Sequence, residues 1–208
     1  MSRAPSFCGV ILAAGESSRM GRPKALLPWR DGTFLSSAIH ALSPFCDMVL
    51  VVAGANANEL RTTVDSLGAF LVVNPEPERG QFSSLQVGVQ EVLNRGRDSA
   101  ILTLVDRPAP EQLTISYLKE HFLRLINQDD WAVVPSFQGR HGHPIFISRE
   151  MIGAFLDAPV TSNARDIRHK HESKIAYVEV TDPLTVANID TPEDYQKLLG
   201  TAASSLAR

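Results

Sequence analysis

Short apolar runs that alternate with longer amphipathic segments are the feature that most restricts how this chain can fold. Phe7–Leu12, Met48–Ala53 and residues 100–105 are almost continuously apolar and rich in Val, Ile and Leu, which is typical of strands buried on both faces. Residues 69–73 and 175–180 are predicted as further strands. Strands of this kind, separated by helical segments, predict an α/β protein with a mainly parallel sheet and helices on both faces.

The connecting segments supply the helices of this arrangement. The predicted helices span residues 33–45, 56–67, 81–93, 110–127 and 191–199, and two more strands, residues 131–135 and 144–147, flank a Gly-rich turn. Asn56 is expected to cap the second of these helices together with Glu59.

Composition limits the classes of protein to consider. With 208 residues, 44% of them hydrophobic, the chain fits one domain over residues 1–200, and residues 201–208 are expected to be a frayed tail. A net charge of -3 gives no long-range attraction for nucleic acid or an anionic membrane. The chain has no apolar run of membrane-spanning length and no signal peptide at its start, and Cys8 and Cys46 form no disulfide framework. These features favour a cytoplasmic protein without a nucleic-acid or membrane partner.

The loop after the first strand is the main candidate for ligand binding. Its small residues allow the backbone to approach a ligand, and it carries two cations, Arg19 and Lys24, which suit a polyphosphate. The small residues follow directly after the strand and are Leu12, Ala13, Ala14 and Gly15. Lys24 lies between Pro23 and Ala25, so the loop is not a Walker motif, and its glycine spacing excludes the dinucleotide fingerprint.

Two acidic residues outside the first loop require an explanation. Asp106 directly follows the apolar run 100–105, at the edge where parallel sheets bind ligands. By itself it would be a turn cap, but beside a polyphosphate loop a magnesium ligand is the better interpretation. Asp190 precedes Thr191-Pro192-Glu193, which is a good helix start that does not itself require an aspartate at position 190.

The pattern L-A-A-G-x-S-x-R-M-G-x-P-K over Leu12 to Lys24 resembles the signature of the MobA-like nucleotidyltransferases, and most of all the molybdenum cofactor cytidylyltransferases. The resemblance covers nearly the whole chain and implies a three-layer, Rossmann-like nucleotidyltransferase fold. It implies transfer of CMP from CTP to the molybdopterin phosphate with release of pyrophosphate. GTP, a sugar 1-phosphate acceptor, or a non-catalytic accessory role for a molybdoenzyme remain alternatives, and a molybdoenzyme apoprotein is a possible partner.

The same resemblance assigns roles to individual residues. Arg19, Lys24 and Asp106 would be catalytic, and Asp106 and Asp190 would hold Mg²⁺, although Asn188 stands where relatives often have an acid. The nucleotide would also contact the G-x-x-S-S-L segment, and the acceptor would contact the G-H-P motif. The residues of the first segment are Gly80, Ser83 and Ser84, and those of the second motif are Gly142, His143 and Pro144. Capping of a helix is an equally good interpretation of the two serines. The basic segment around Arg165 and Arg168 is interpreted as a solvated helix face.

Overall fold

The apolar runs of the sequence form the central sheet of this computed structural model, which describes residues 5–15 and 23–206. In chain order the strands are β1 (Phe7–Leu12), β2 (Pro28–Trp29), β3 (Gly32–Thr33), β4 (Met48–Ala53), β5 (Phe70–Val73), β6 (Ser99–Leu104), β7 (Ala132–Phe137), β8 (Arg140–His141), β9 (Ile145–Ile147) and β10 (Ile175–Glu179). The main sheet has the order β10-β7-β9-β6-β1-β4-β5, and β8 pairs with β7.

Strand direction decides where the loops of this sheet meet. β1 lies in the middle and pairs in parallel with both β4 and β6, and all six of its residues are buried. β9 is antiparallel and lies between β6 and β7. The loops that follow β1, β4 and β6 therefore leave the sheet at one edge, which is the edge where open parallel sheets bind ligands.

Helices cover both faces of the sheet, which confirms the three-layer α/β prediction. In chain order they are α1 (Phe34–Leu42), α2 (Ala57–Ser66), α3 (Gln81–Asn94), α4 (Gln112–Leu125), α5 (Arg149–Leu156), α6 (Ala164–Lys170) and α7 (Pro192–Leu206). Helices α1, α2 and α4 share one apolar core with the sheet. Helices α3, α5 and α6 share a second core on the opposite face.

A glycine brings α3 close to the sheet. A Cβ atom added to Gly88 would lie 2.8 Å from Val10 Cγ1 and 3.0 Å from Val52 Cγ2, which is too close for any larger residue to be accommodated without a shift. The close approach places the start of α3, and the loop before it, beside the ends of β1 and β6.

A smaller third core joins two segments that are far apart in sequence. Trp29 and Phe34, from the region of the β2–β3 hairpin, pack with Ile189 and Tyr195. The Tyr195 hydroxyl also donates a hydrogen bond of 2.7 Å to the carbonyl of Pro28. This core brings the segment after Lys24 next to the turn that precedes α7.

Several elements differ from the sequence prediction. The β2–β3 hairpin and helix α5 were not predicted, and α7 continues to Leu206, beyond the predicted end at residue 199. Helix α6 corresponds to the basic segment that was interpreted as a helix face. The predicted cap of α2 is wrong, because the Asn56 side chain makes no capping hydrogen bond to that helix. Within the described residues, no helix has both the length and the apolar character needed to cross a membrane.

Candidate active site

The loops at the ligand-binding edge are tied together by main-chain and amide hydrogen bonds. The Ala13 amide donates to the carbonyl of Val52 at 2.8 Å, and the Val105 amide donates to the carbonyl of Leu12 at 3.0 Å. Instead of capping α2, the Asn56 side chain donates to the Ala13 carbonyl at 2.8 Å and accepts from the Gly54 amide at 3.1 Å. Asn56 therefore fixes the start of the candidate phosphate loop, a role that sequence reasoning missed.

Lys24 brings the two predicted aspartates together. Its ammonium lies 3.0 Å from an Asp190 carboxylate oxygen and 3.5 Å from an Asp106 carboxylate oxygen. The amide of Ile189 also donates to the carbonyl of Asp106 at 3.0 Å, so the two acidic turns are joined through the backbone as well. We call Lys24, Asp106 and Asp190 the carboxylate–lysine cluster.

Helix capping holds Asp190 in this position. The Asp194 amide donates to the Thr191 hydroxyl at 3.2 Å, and the Asp194 carboxylate accepts from the amides of Thr191 and Asp190 at 3.0 and 3.2 Å. These bonds lower the pKa of Asp194. The Asn188 amide donates to the second Asp190 oxygen, so this side chain orients Asp190.

The two carboxylates of the cluster are suited to a divalent metal ion. One oxygen of Asp106 is buried and has no hydrogen-bond partner among the described residues. No group of three or more His, Cys, Asp or Glu side chains suited to a metal occurs in that part of the chain. Magnesium commonly uses one or two carboxylates together with substrate phosphates, so Asp106 and Asp190 fit such an ion.

The remaining residues of the first loop are only partly described. Leu12 and Ala13 are buried, and Gly15 is exposed at the end of the described segment. Arg19 lies outside the described residues, so its predicted role stays a prediction. Lys24 is thus the cation of the signature whose position is defined.

The G-x-x-S-S-L segment serves mainly to hold its own loop. Ser83 and Ser84 are buried, and each hydroxyl accepts a hydrogen bond of 2.9 Å from the Asn74 side chain. The Ser83 hydroxyl in turn donates to the carbonyl of Gly80 at 2.8 Å. This geometry supports a structural role for both serines, and of the three predicted residues only Gly80 lines the cavity described next.

A cavity of about 430 Å³ opens beside the cluster, between α3, α5, α6 and the end of the sheet. Its lining, as far as the structure describes the chain, combines apolar side chains with four arginines and includes no aspartate or glutamate. These residues are Leu12, Phe82, Leu85, Leu102, Leu104, Ile145 and Phe155 on the apolar side and Arg79, Arg107, Arg165 and Arg168 on the basic side. We call this space the arginine cavity.

One wall of the arginine cavity is held by the hydrogen bonds of a partly buried glutamine. The Gln86 side-chain amide donates to the carbonyls of Phe155 and Ala158, both at 2.9 Å. The loop that follows α5 contributes Val160 to Asn163 to the lining. Gln86 therefore anchors that loop to α3.

His143 is the member of the G-H-P motif that reaches the arginine cavity. Its Nδ1 lies 3.3 Å from the carbonyl of Leu102. Burial, reinforced by the positive charges of Arg107 and Arg168, lowers the pKa of His143 to about 3. The ring is therefore neutral at physiological pH, so Nδ1 must donate to the carbonyl and Nε2 is left as an acceptor. His143 can orient an acceptor, but it does not supply positive charge for a phosphate.

The neighbours of His143 in the motif have supporting roles. Gly142 is buried against the carbonyl of Thr185, and an added Cβ atom would lie only 2.1 Å from that oxygen. The His143 amide donates to the same carbonyl at 2.8 Å. Pro144 is buried and lines a small void behind the cavity. Gly142 and Pro144 thus position His143.

Two arginines of the cavity, Arg168 and Arg107, differ from what the sequence predicted. Arg168 is not on a solvated helix face, because it is partly buried and lines the cavity. Arg107, which directly follows Asp106, was not among the predicted site residues. Burial lowers the pKa of both guanidinium groups, and Arg107 also disfavours the charge on Arg168.

Comparisons with known proteins agree with this arrangement. The model of the MobA-like NTP transferase domain family matches residues 9–175. The molybdenum cofactor cytidylyltransferase of Escherichia coli K12 is 31% identical over 89% of this chain and 92% of its own length. The nicotine blue oxidoreductase of Paenarthrobacter nicotinovorans is 29% identical over 94% of this chain and 97% of its own length.

Solved structures show the same fold. The crystal structure of Rv0371c from Mycobacterium tuberculosis H37Rv aligns with a TM-score of 0.78 and 27% identity, covering 94% of this chain and 98% of that one. A manganese complex of that protein aligns with a TM-score of 0.72 and 24% identity over the same shares of the two chains. The chain therefore belongs to the MobA-like NTP transferase family and is a nucleotidyltransferase.

Proposed function

We propose that this nucleotidyltransferase transfers CMP from CTP to the phosphate of molybdopterin. The observation that carries the proposal is the carboxylate–lysine cluster, in which one ammonium contacts both predicted metal carboxylates at the ligand-binding edge of the sheet. The E. coli relative, which is named a molybdenum cofactor cytidylyltransferase, supports the choice of CTP and molybdopterin.

The reaction is an in-line displacement at phosphorus. An oxygen of the acceptor phosphate forms a bond to the α-phosphorus of CTP while the bond from that phosphorus to the bridging oxygen breaks, and pyrophosphate leaves with the electron pair. Lys24, at the edge of the sheet, balances negative charge on the phosphates, and Arg19 is proposed to do the same. Positioning and charge neutralisation carry such a reaction, so a protein nucleophile is not required.

We further propose that Asp106 and Asp190 hold a divalent ion, with Mg²⁺ the expected one. When bound, such an ion would neutralise charge on the triphosphate. The buried Asp106 oxygen without a partner among the described residues supports this assignment, because a desolvated carboxylate oxygen is costly unless something binds it.

The nucleotide and the acceptor are distinguished on different grounds. Leu12 to Gly15 read L-A-A-G, which in the resembled family accompanies cytidine nucleotides, so CTP is favoured over GTP. The apolar and basic lining of the arginine cavity favours a flat ring that carries a phosphate. Two carboxylates around a lysine favour phosphorus chemistry over the hydride transfer that the name of the oxidoreductase relative suggests. CTP and free thiols at Cys8 and Cys46 fit a cytoplasmic enzyme.

A pyrophosphate-release assay tests the proposal. The purified protein is incubated with Mg²⁺ and either CTP or GTP, with and without molybdopterin, and with a sugar 1-phosphate in a parallel series. Release that requires both CTP and molybdopterin supports the proposal. Preference for GTP or for the sugar phosphate would replace the substrate assignment. CTP binding without release in any series would indicate a non-catalytic accessory protein.

A further inference from the structure

The described lining of the arginine cavity carries more positive than negative charge. Of its four arginines, Arg79 is ion-paired with Glu76, and Arg165 is exposed on α6. Arg107 and Arg168 are the partly buried pair. Since the described residues of the lining include no acidic side chain, their charge favours an anionic ligand.

Arg107 links this cavity to the carboxylate–lysine cluster. It directly follows Asp106 in the chain, and the charges of Asp106 and Asp190 favour its positive form. Within the described residues, its guanidinium makes one long hydrogen bond, 3.5 Å to the carbonyl of Ala187, and its buried Nε has no partner. Most donors of this guanidinium are therefore left for a ligand.

Arg168 approaches the same place from α6. Its Nε is likewise buried without a hydrogen-bond partner among the described residues. The groups that most affect its charge are Tyr177, Arg165 and Arg107, and no carboxylate is among them. His143 lies beside both arginines, and its pKa responds to both, but its neutral ring adds no charge and offers Nε2 as an acceptor.

We propose that Arg107 and Arg168 form the subsite for the phosphate monoester of the acceptor. Guanidinium forks bind phosphate in a bidentate manner, and two of them match a dianion. The apolar side of the cavity, with Phe82 and Phe155, would take the flat ring of the acceptor. Because Arg107 adjoins Asp106, a phosphate held there has its attacking oxygen next to the site of the α-phosphate. This inference rests on the proposed function and specifies which residues select a phosphorylated acceptor.

Steady-state kinetics of three matched variants test the subsite. Arg107→Met and Arg168→Met remove one fork each, and Arg61→Met, which alters an exposed arginine on α2 outside the cavity lining, is the control. We expect the KM for molybdopterin to rise about 10- to 100-fold in the first two variants, because each loses charged hydrogen bonds, and to change less than about threefold in the control. The Kd for CTP should stay within about twofold of wild type in all three, because the pair binds the acceptor.

The two lysine variants separate the effect of the planar guanidinium group from the effect of its positive charge. Arg168→Lys and Arg107→Lys keep the charge and lose the planar fork, so we expect partial recovery of the acceptor KM relative to the methionine variants. If a thermal melt shows that a methionine variant does not fold, the corresponding lysine variant is measured in its place. An unchanged acceptor KM, or a loss of CTP affinity in place of acceptor affinity, would overturn the proposal.

Direct binding of phenyl phosphate separates this proposal from the proposed function. The titration uses the nucleotide-free protein and isothermal calorimetry, with phenol as the ligand without phosphate. Binding that needs Arg107 and Arg168 but not Lys24 supports the subsite, even if molybdopterin is never cytidylylated. Binding that is abolished by Lys24→Met and unaffected by Arg107→Met or Arg168→Met assigns the phosphate to the carboxylate–lysine cluster and refutes the subsite.

Discussion

The carboxylate–lysine cluster and the arginine cavity lie side by side and balance their charges in opposite ways. In the cluster, Lys24 contacts both aspartates, so the protein supplies its own counter-charge. In the cavity, Arg107 and Arg168 form no ion pair with any carboxylate of the described residues. In the cluster, a metal ion can replace Lys24 as the positive charge beside the two carboxylates. In the cavity, the two arginines lack such a carboxylate partner within the described part of the chain, so the expected ligand is an anion. We therefore propose that the first region is the reacting centre and that the second region recognises the acceptor.

The largest expected effect tests the first half of this comparison. Asp106→Asn keeps the size of the side chain and removes the charge, so we expect the rate of transfer to fall by about 100-fold or more. Acceptor affinity should change little, because the cavity keeps its arginines. Pyrophosphate release measures the rate, and a thermal melt checks folding. Asp65→Asn, an exposed acid on α2, is the control. Wild-type turnover in Asp106→Asn would remove Asp106 from the reacting centre.

The wall of the arginine cavity should depend on one close contact. Gly142→Ala places a methyl group 2.1 Å from the Thr185 carbonyl oxygen, so the backbone must move. We expect a loss of about 1–3 kcal/mol in the free energy of unfolding, measured with urea, and a raised acceptor KM because His143 follows in the chain. Gly153→Ala on α5 is the matched control, since its added Cβ atom meets nothing within 4 Å. Equal stability of the two variants would contradict this account.

The burial of His143, reinforced by the positive charges of Arg107 and Arg168, should also be visible in stability as a function of pH. The pKa of His143 is about 3 in the folded protein, below its ordinary value of 6.5. The unfolded chain therefore binds a proton below pH 6.5 that the folded chain does not, and stability falls as the pH falls toward 3. We expect this loss to be at most about 1.4 kcal/mol per pH unit.

Two histidine variants isolate this effect. His143→Asn keeps a donor for the Leu102 carbonyl but cannot titrate, so its stability should fall less than that of wild type between pH 6.5 and about 5. His141→Asn alters an exposed side chain that stacks on Tyr177, and its pH profile should follow wild type. Urea unfolding at several pH values gives the comparison. If stability depends on pH in the same way in wild type and in His143→Asn, then burial in the cavity does not prevent protonation of His143.

The two regions also differ in how far the sequence predicts them. The strands β1 and β4 coincide with the apolar runs, because buried parallel strands are apolar on both faces. Lys24, Asp106 and Asp190 lie together because the loop after β1, the loop after β6 and the turn before α7 meet at the same edge of the sheet. Their metal ligation and the roles of Gly15, Gly80 and Arg19 stay predictions.

The arginine cavity could not be predicted in the same way. It is built by α5 and α6, which are short and have weak sequence signals, and by a glutamine on α3. The charged pattern around Arg168 suggested solvent, but Ile167 is buried against the second core and holds that turn of α6 against the cavity. The hydrogen bonds of Asn56 and Asn74 are tertiary contacts between distant segments, which local periodicity does not contain.

The smallest expected effect is a change in metal affinity when Lys24 is replaced, and its direction is the least obvious. If Lys24 acts as the internal cation of the cluster, Lys24→Met should bind Mn²⁺ more tightly than wild type when no nucleotide is present, by about tenfold, because the two carboxylates lose a positive charge within 3.5 Å. The same variant should transfer nucleotide more slowly, because the phosphates lose that charge. Titration followed by electron paramagnetic resonance of free Mn²⁺ measures the affinity, with Lys170→Met, an exposed lysine on α6, as the control. Weaker Mn²⁺ binding in Lys24→Met would mean that the lysine organises the aspartates for the metal, and the cluster would then lose its contrast with the arginine cavity.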